Sequence, residues 1–184
     1  MLLLGLCTLL WSMSGVFIKT IPWHALVLAG SRGLIAGCVM ALYFKFRCLR
    51  LVLNRTSLSA AVMLGATFLT FVSATKMTTA ANAIVIQASS PVFVLLYNGF
   101  ARKQRVVRRD VIAVLITLLG VSLFFLEQIG GGYFLGNLLA LVSGVTLAAT
   151  YVITCGAKEE ERMSGILLSH LFTAAVGLPF ALFN

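Results

Sequence analysis

Residues 78–109 read TTAANAIVIQASSPVFVLLYNGFARKQRVVRR. Through Phe100 this stretch has no charged side chain. Beyond it come Arg102, Lys103, Arg105, Arg108 and Arg109, with no acid before Asp110. A membrane-spanning helix needs about 20 mostly apolar residues. Lys and Arg collect in the cytoplasmic loops beside such helices. An uncharged run that ends in a cationic loop therefore predicts a helix leaving the bilayer on its cytoplasmic side.

Working outward, the same pattern recurs. Apolar runs lie at 2–19, 25–45, 57–75, 78–99, 110–126, 134–155 and 163–183, seven in all. No short alternating strands of the barrel kind interrupt them. Backbone groups in hydrocarbon must bond within their own segment, so the runs are read as helices. Pro22 marks the turn between runs one and two, Gly130 to Gly132 separate runs five and six, and Lys158 to Arg162 is read as a charged loop. The predicted fold is an all-α, polytopic transmembrane bundle of about seven spans.

Composition agrees. The chain has 184 residues, 60% hydrophobic and 10% charged, with a mean hydropathy of +1.05. A soluble domain carries about 25% charged residues, and a disordered chain is poor in apolar ones. The formal net charge is +9. The basic residues sit in short loops and do not interleave with aromatics, so no nucleic-acid partner is expected. Cys7, Cys38, Cys48 and Cys155 form no CxxC pair and read as small packing residues. Leu2 follows Met1 with no basic leader, which argues against a cleaved signal peptide.

Loop charge sets the orientation. Lys45, Arg47, Arg50 and Arg55 follow run two, the five residues of the opening stretch follow run four, and Lys158 and Arg162 follow run six. The opposite side has Lys19 and Lys76 only. The positive-inside rule places the N-terminus in the cytoplasm and Asn184 outside.

Few side chains in the spans carry chemistry. Arg32 lies about 12 Å along run two from its outer end. A charge at that depth costs about 2.5 kcal/mol or more against lipid, so it either faces a cavity or snorkels outward. On run four, Thr78, Asn82 and Ser89 share a stripe, with Thr79, Ser90 and Tyr97 beside it. Ile84, Ala88, Val92 and Leu95 are assigned to lipid. The polar face either lines a pathway or bonds neighbouring helices; Gln87 stands off it. Pro91 interrupts the hydrogen-bond ladder and is the candidate hinge. His170 in run seven either handles protons or substrate, or bonds a neighbour. His24 beside Trp23 reads as interfacial, Glu127 as a solvated helix end, and Glu159 to Glu161 as a solvated charge run. HExxH, GxSxG, P-loop and Cys/His patterns are missing, so no enzyme, cofactor or metal site is expected.

The order of features resembles the EamA-type transporters of the drug/metabolite transporter superfamily. The carriers of that resemblance are Trp11, Gly15 and Lys19 in run one, Arg32 in run two, Ala80 through Pro91 to Tyr97 in run four, Gly120-Val121 in run five and the start of run six at Gly136. The chain departs from the family at Ala101-Arg102-Lys103, where a Glu is common, and at Asp110, where a Gly is common. The resemblance implies two five-helix repeats of opposite orientation. Residues 1–126 would be the first and 134–184 part of the second. Laid over run one, Gly136, Leu141 and Ser143 meet Gly5, Leu10 and Ser12. On that plan three helices are missing after Asn184 and the chain is a fragment; an intact seven-span protein is the alternative.

The expected function is secondary, non-ATP transport or export of a small metabolite by alternating access. The expected pathway is Arg32, Thr78, Asn82, Ser89, Ser90, Tyr97 and His170, in the plasma membrane. Expected partners are the lipid bilayer, a small-molecule solute, a coupling ion or proton, and a second copy in a homodimer. The competing reading is a non-transporting membrane scaffold or an inactive transporter fragment.

Overall fold

The computed structural model describes Gly5 and residues 13–100, 108–126 and 133–183. Helix α1 covers residues 13–20. Then come α2 (Ala25–Phe46), α3 (Arg55–Met77), α4 (Ala80–Gln87), α5 (Ser90–Phe100), α6 (Arg108–Leu126), α7 (Phe134–Thr154) and α8 (Glu159–Gly177), which runs on into a 3-10 turn at Leu178–Phe183. Among the described residues all regular structure is helical. Five segments among the described residues are long and apolar enough to cross a membrane: Ala25–Phe46, Arg55–Met77, Ala80–Phe100, Phe134–Thr154 and Glu159–Ala181. The 23 residues of α3 span about 34 Å, enough for the hydrocarbon layer. Most of run one, Glu127 and Gly130 to Gly132 lie outside the described residues. The result is a polytopic helical bundle.

Close packing without bulky side chains holds the bundle. Lipid is as apolar as Leu, so helix association depends on close approach and on hydrogen bonds. Gly30, Gly33 and Gly37 of α2 lie against α8. A Cβ at Gly30 would sit 2.7 Å from the Leu178 nitrogen, one at Gly33 2.8 Å from the His170 carbonyl, and one at Gly37 3.4 Å from Leu171. As the number rises on α2 it falls on α8, so the two helices are antiparallel. On α3, Thr67 bonds Thr146 at 2.8 Å, while Met77 and Thr78 lie against Gly136, so α3 and α7 are antiparallel too. Ser57 and Ala60 meet Gly165 while Gly65 meets Phe172, so α3 and α8 are parallel. Neighbouring runs thus alternate in direction, as the loop charges require. The core is correspondingly small-grained: Ala29, Ala74, Ala83 and Ala140 are buried with Ile18, Leu28, Phe71, Val72 and Ile86.

Two expectations change. Lys158 to Arg162 is not a loop beyond its first residue, because Glu159, Glu160 and Glu161 form the acidic first turn of α8. Acidic side chains are stabilising at a helix N-terminus, where free N–H groups carry positive partial charge. Glu161 accepts from the Lys158 N–H at 3.1 Å and from Asn54 Nδ2 at 2.6 Å, so it is no merely solvated charge. The second concerns run four, which breaks at Ala88 and Ser89 into α4 and α5. Pro91 has no N–H for the Gln87 carbonyl, and Val92 N–H turns back to the Ser89 carbonyl at 2.9 Å. The break rotates α5 off the phase of α4. Val92, assigned to lipid on an uninterrupted helix, is therefore only 2% exposed.

Candidate cavity between the helices

A cavity of about 620 Å³ opens among α1, α2, α3, α4, α7 and α8. Its charged lining is Arg32 and Arg162. Ser14, Thr67, Gln87, Thr150 and Thr154 supply amide and hydroxyl groups, and Leu64, Phe68, Phe71, Leu147, Tyr151 and Ile166 supply the greasy walls. A mostly apolar cavity with a few placed polar groups is the usual form of a small-molecule site. Among the described residues no carboxylate lines it.

The polar side chains differ in how they are satisfied. Thr67, Thr150 and Thr154 each donate to the carbonyl one helical turn back, at 2.9, 3.0 and 2.8 Å. That leaves them lone pairs toward the cavity. Gln87 is 8% exposed, and its amide has no hydrogen-bond partner among the described residues. The guanidinium groups of Arg32 and Arg162 have neither a carboxylate nor a hydrogen-bond partner among the described residues. Arg32 on α2 and Arg162 on the first turn of α8, just after Glu159 to Glu161, are both exposed.

Beside Arg32 lies a smaller recess of about 70 Å³, lined by Arg32, Phe68, His170 and Thr173 among others. The His170 ring stacks on Phe68, with centroids 4.9 Å apart and planes 7° from parallel. Thus two residues singled out in the sequence, Arg32 on α2 and His170 on α8, meet at one place. The antiparallel glycine contact of α2 with α8 is what brings them there.

The residues singled out on run four lie elsewhere. Thr78 is buried and donates to Asn137 Oδ1 at 2.7 Å. Ser89 is buried and donates to the Ile86 carbonyl at 2.6 Å. Ser90 is buried in the first turn of α5, and Asn82 is 5% exposed with its Nδ2 unpartnered among the described residues. Tyr97 is 45% exposed. None of these five is part of the 620 Å³ lining. Gln87 is, although it stands off the polar stripe. Arg162 is the other residue that sequence reading passed over. Three successive Glu residues were the signal that a helix had already begun before it.

Motif order in the sequence points to one transporter family, and the helical bundle and its cavity agree. The model of the EamA-like transporter family matches residues 1–126. The chain belongs to this family. The match ends where α6 ends, at Leu126, and covers Arg32, Gln87 and Pro91. No curated protein and no solved structure matches the chain. EamA-like proteins are membrane transporters of small solutes rather than enzymes, and the chain is accordingly a multi-pass membrane protein.

Proposed function

We propose that the chain serves secondary transport of a small solute across the plasma membrane by alternating access, with no ATP. The observation that carries this reading is the 620 Å³ cavity, with Arg32, Arg162 and the unpartnered Gln87 amide on apolar walls. A purely structural bundle gains nothing by keeping the Arg32 charge without a countercharge among the described residues, since a charge inside a membrane segment costs free energy. The break at Ala88 and Ser89 is the proposed hinge, set directly after Gln87. His170 beside Arg32 is the proposed place where a coupling proton acts.

The test is solute flux in proteoliposomes containing the purified chain, across a metabolite panel. Uptake that needs Arg32 supports the reading; no flux of any solute, with Arg32→Ala indistinguishable, removes it. The scaffold reading draws on different observations, the Thr78–Asn137 and Thr67–Thr146 bonds, in which polar groups join helices. Cysteine labelling on a background lacking native Cys separates the two. Aqueous reagents reach Gln87→Cys and Thr150→Cys if the cavity is a pathway, and reach neither if it is sealed packing.

A further inference from the structure

We infer that the cavity selects an amphipathic organic anion, whose acid group (carboxylate, phosphate or sulfonate) pairs with Arg162 at one level and Arg32 at another. The inference deepens the transport reading and rests on it. Three observations carry it. Among the described residues the charged groups on the lining are two guanidiniums, Arg32 and Arg162, both exposed and neither in an ion pair. Gln87, more than nine-tenths buried, presents an amide without a partner to the same space. The remaining wall includes Phe68, Phe71, Leu147 and Ile166, which suits an apolar body and not a fully hydrated ion.

The two arginines stand at different depths. Gly33 touches α8 at His170, Thr173 and Ala174, so Arg32 lies level with that part of α8. Arg162 is about eleven residues earlier on the same helix, or roughly 17 Å along its axis. Arg162 belongs to the end that bears Glu159 to Glu161 and the Lys45–Arg55 loop, which loop charge assigns to the cytoplasm. Arg32 belongs to the outer half. Guanidinium groups bind carboxylate, phosphate and sulfonate oxygens through paired N–H donors. A solute moving through the cavity finds such a fork toward either end of its path, each offering its acid group a countercharge. Gln87 on α4 supplies a hydrogen bond, and the helix it belongs to ends at that point. A cationic solute would meet charge of its own sign at Arg32 and Arg162.

Benzenesulfonate and phenyltrimethylammonium test this. They share a ring, both are permanently charged and neither leaks through lipid; phenyl β-glucoside serves as the neutral probe. Uptake of each is measured in proteoliposomes, and binding of the sulfonate is measured on detergent-purified protein. Sulfonate uptake should exceed that of the ammonium. Arg32→Gln and Arg162→Gln should each cut it by about tenfold to a hundredfold, the worth of a charge-assisted hydrogen bond. Arg162→Lys, which keeps the charge, should retain part of it, and Arg109→Gln on α6 should leave it intact. Size-exclusion profiles identify any variant that misfolds, and Arg162→Lys then carries the comparison. If the ammonium enters as well as the sulfonate, or the Gln variants transport sulfonate normally, the anion inference is overturned while the transport reading stands. If nothing crosses but the sulfonate binds in an arginine-dependent way, the anion site stands and the transport reading falls. If sulfonate neither crosses nor binds, the inference is overturned, and glucoside flux decides whether transport survives.

Discussion

Thr78 hydroxyl donates to Asn137 Oδ1 at 2.7 Å, joining the segment between α3 and α4 to the first turn of α7. Both residues are buried, at 0% and 1% exposure. In the membrane this bond stands in place of the hydrophobic effect, which gives no preference for helix contact over lipid contact. Gly136, next in the chain to Asn137, permits the approach: a Cβ there would lie 2.8 Å from the Thr78 nitrogen. Thr78→Val keeps the shape and removes the donor. It should cost about 1 kcal/mol, read as a shifted midpoint in SDS titration from mixed micelles.

The α2–α8 contact is less forgiving. A Cβ at Gly177 would collide with the Leu26 carbonyl and lie 2.7 Å from Gly30 Cα. Backbone cannot yield as a side-chain tip can. Gly177→Val should cost about 3 kcal/mol or more and lower folded yield sharply. Gly120→Val on α6, where a Cβ meets open space, should leave yield near that of the parent chain.

At the end that loop charge assigns to the cytoplasm, Glu161 serves two helices. It caps α8 through Lys158 N–H, while Asn54, which it accepts from, caps α3 through Ser57 N–H at 2.8 Å. Ser164 Oγ accepts from Val52 N–H at 2.9 Å just beyond. Glu161→Ala should cost about 1–2 kcal/mol, and Glu161→Gln, which still has an acceptor oxygen, should cost less. Thermal denaturation of the purified protein distinguishes them.

Gln87 sets stability against use. An amide with no partner among the described residues gives the fold nothing, so Gln87→Leu should keep or slightly raise stability. Solute flux should fall at the same time. A variant equally stable and equally active shows that the amide takes no part in transport.

Pro91 makes a related claim about motion. Pro91→Ala supplies the N–H that the Gln87 carbonyl lacks and lets α4 and α5 join as one helix. Thermal stability should rise and flux should fall severalfold. Flux equal to that of the parent chain removes the hinge role and leaves Pro91 an architectural kink.

Legibility differed between the helices and the cavity. Runs two, three and six lie within two residues of α2, α3 and α7, because a span is defined by local composition. Pro91 predicted its break for the same reason: the missing N–H is a property of one residue. The lipid face of run four failed at Val92, since a periodic stripe assumes a continuous helix and the break resets its phase. Arg162 reads as a loop cation on charge alone, whereas the preceding Glu residues signal a helix start. Gln87 falls off the polar stripe because a stripe ranks residues against their own helix, whereas a cavity is made by several.

The sequence alone determined that the chain is a membrane bundle, which way its helices alternate, where run four breaks and which family it resembles. Those follow from the length of apolar runs, the placement of Lys and Arg and the order of a few motif residues, all local quantities. Only the tertiary structure decided that Arg32 meets His170, that Arg162 and Gln87 share a cavity with Arg32, and that Thr78 and Ser89 are spent on other helices and on their own backbone. These depend on which glycine meets which backbone across α2 and α8 or α3 and α7. That register is set by contacts between residues more than a hundred apart in the case of Gly33 and His170, and no window along one helix contains it.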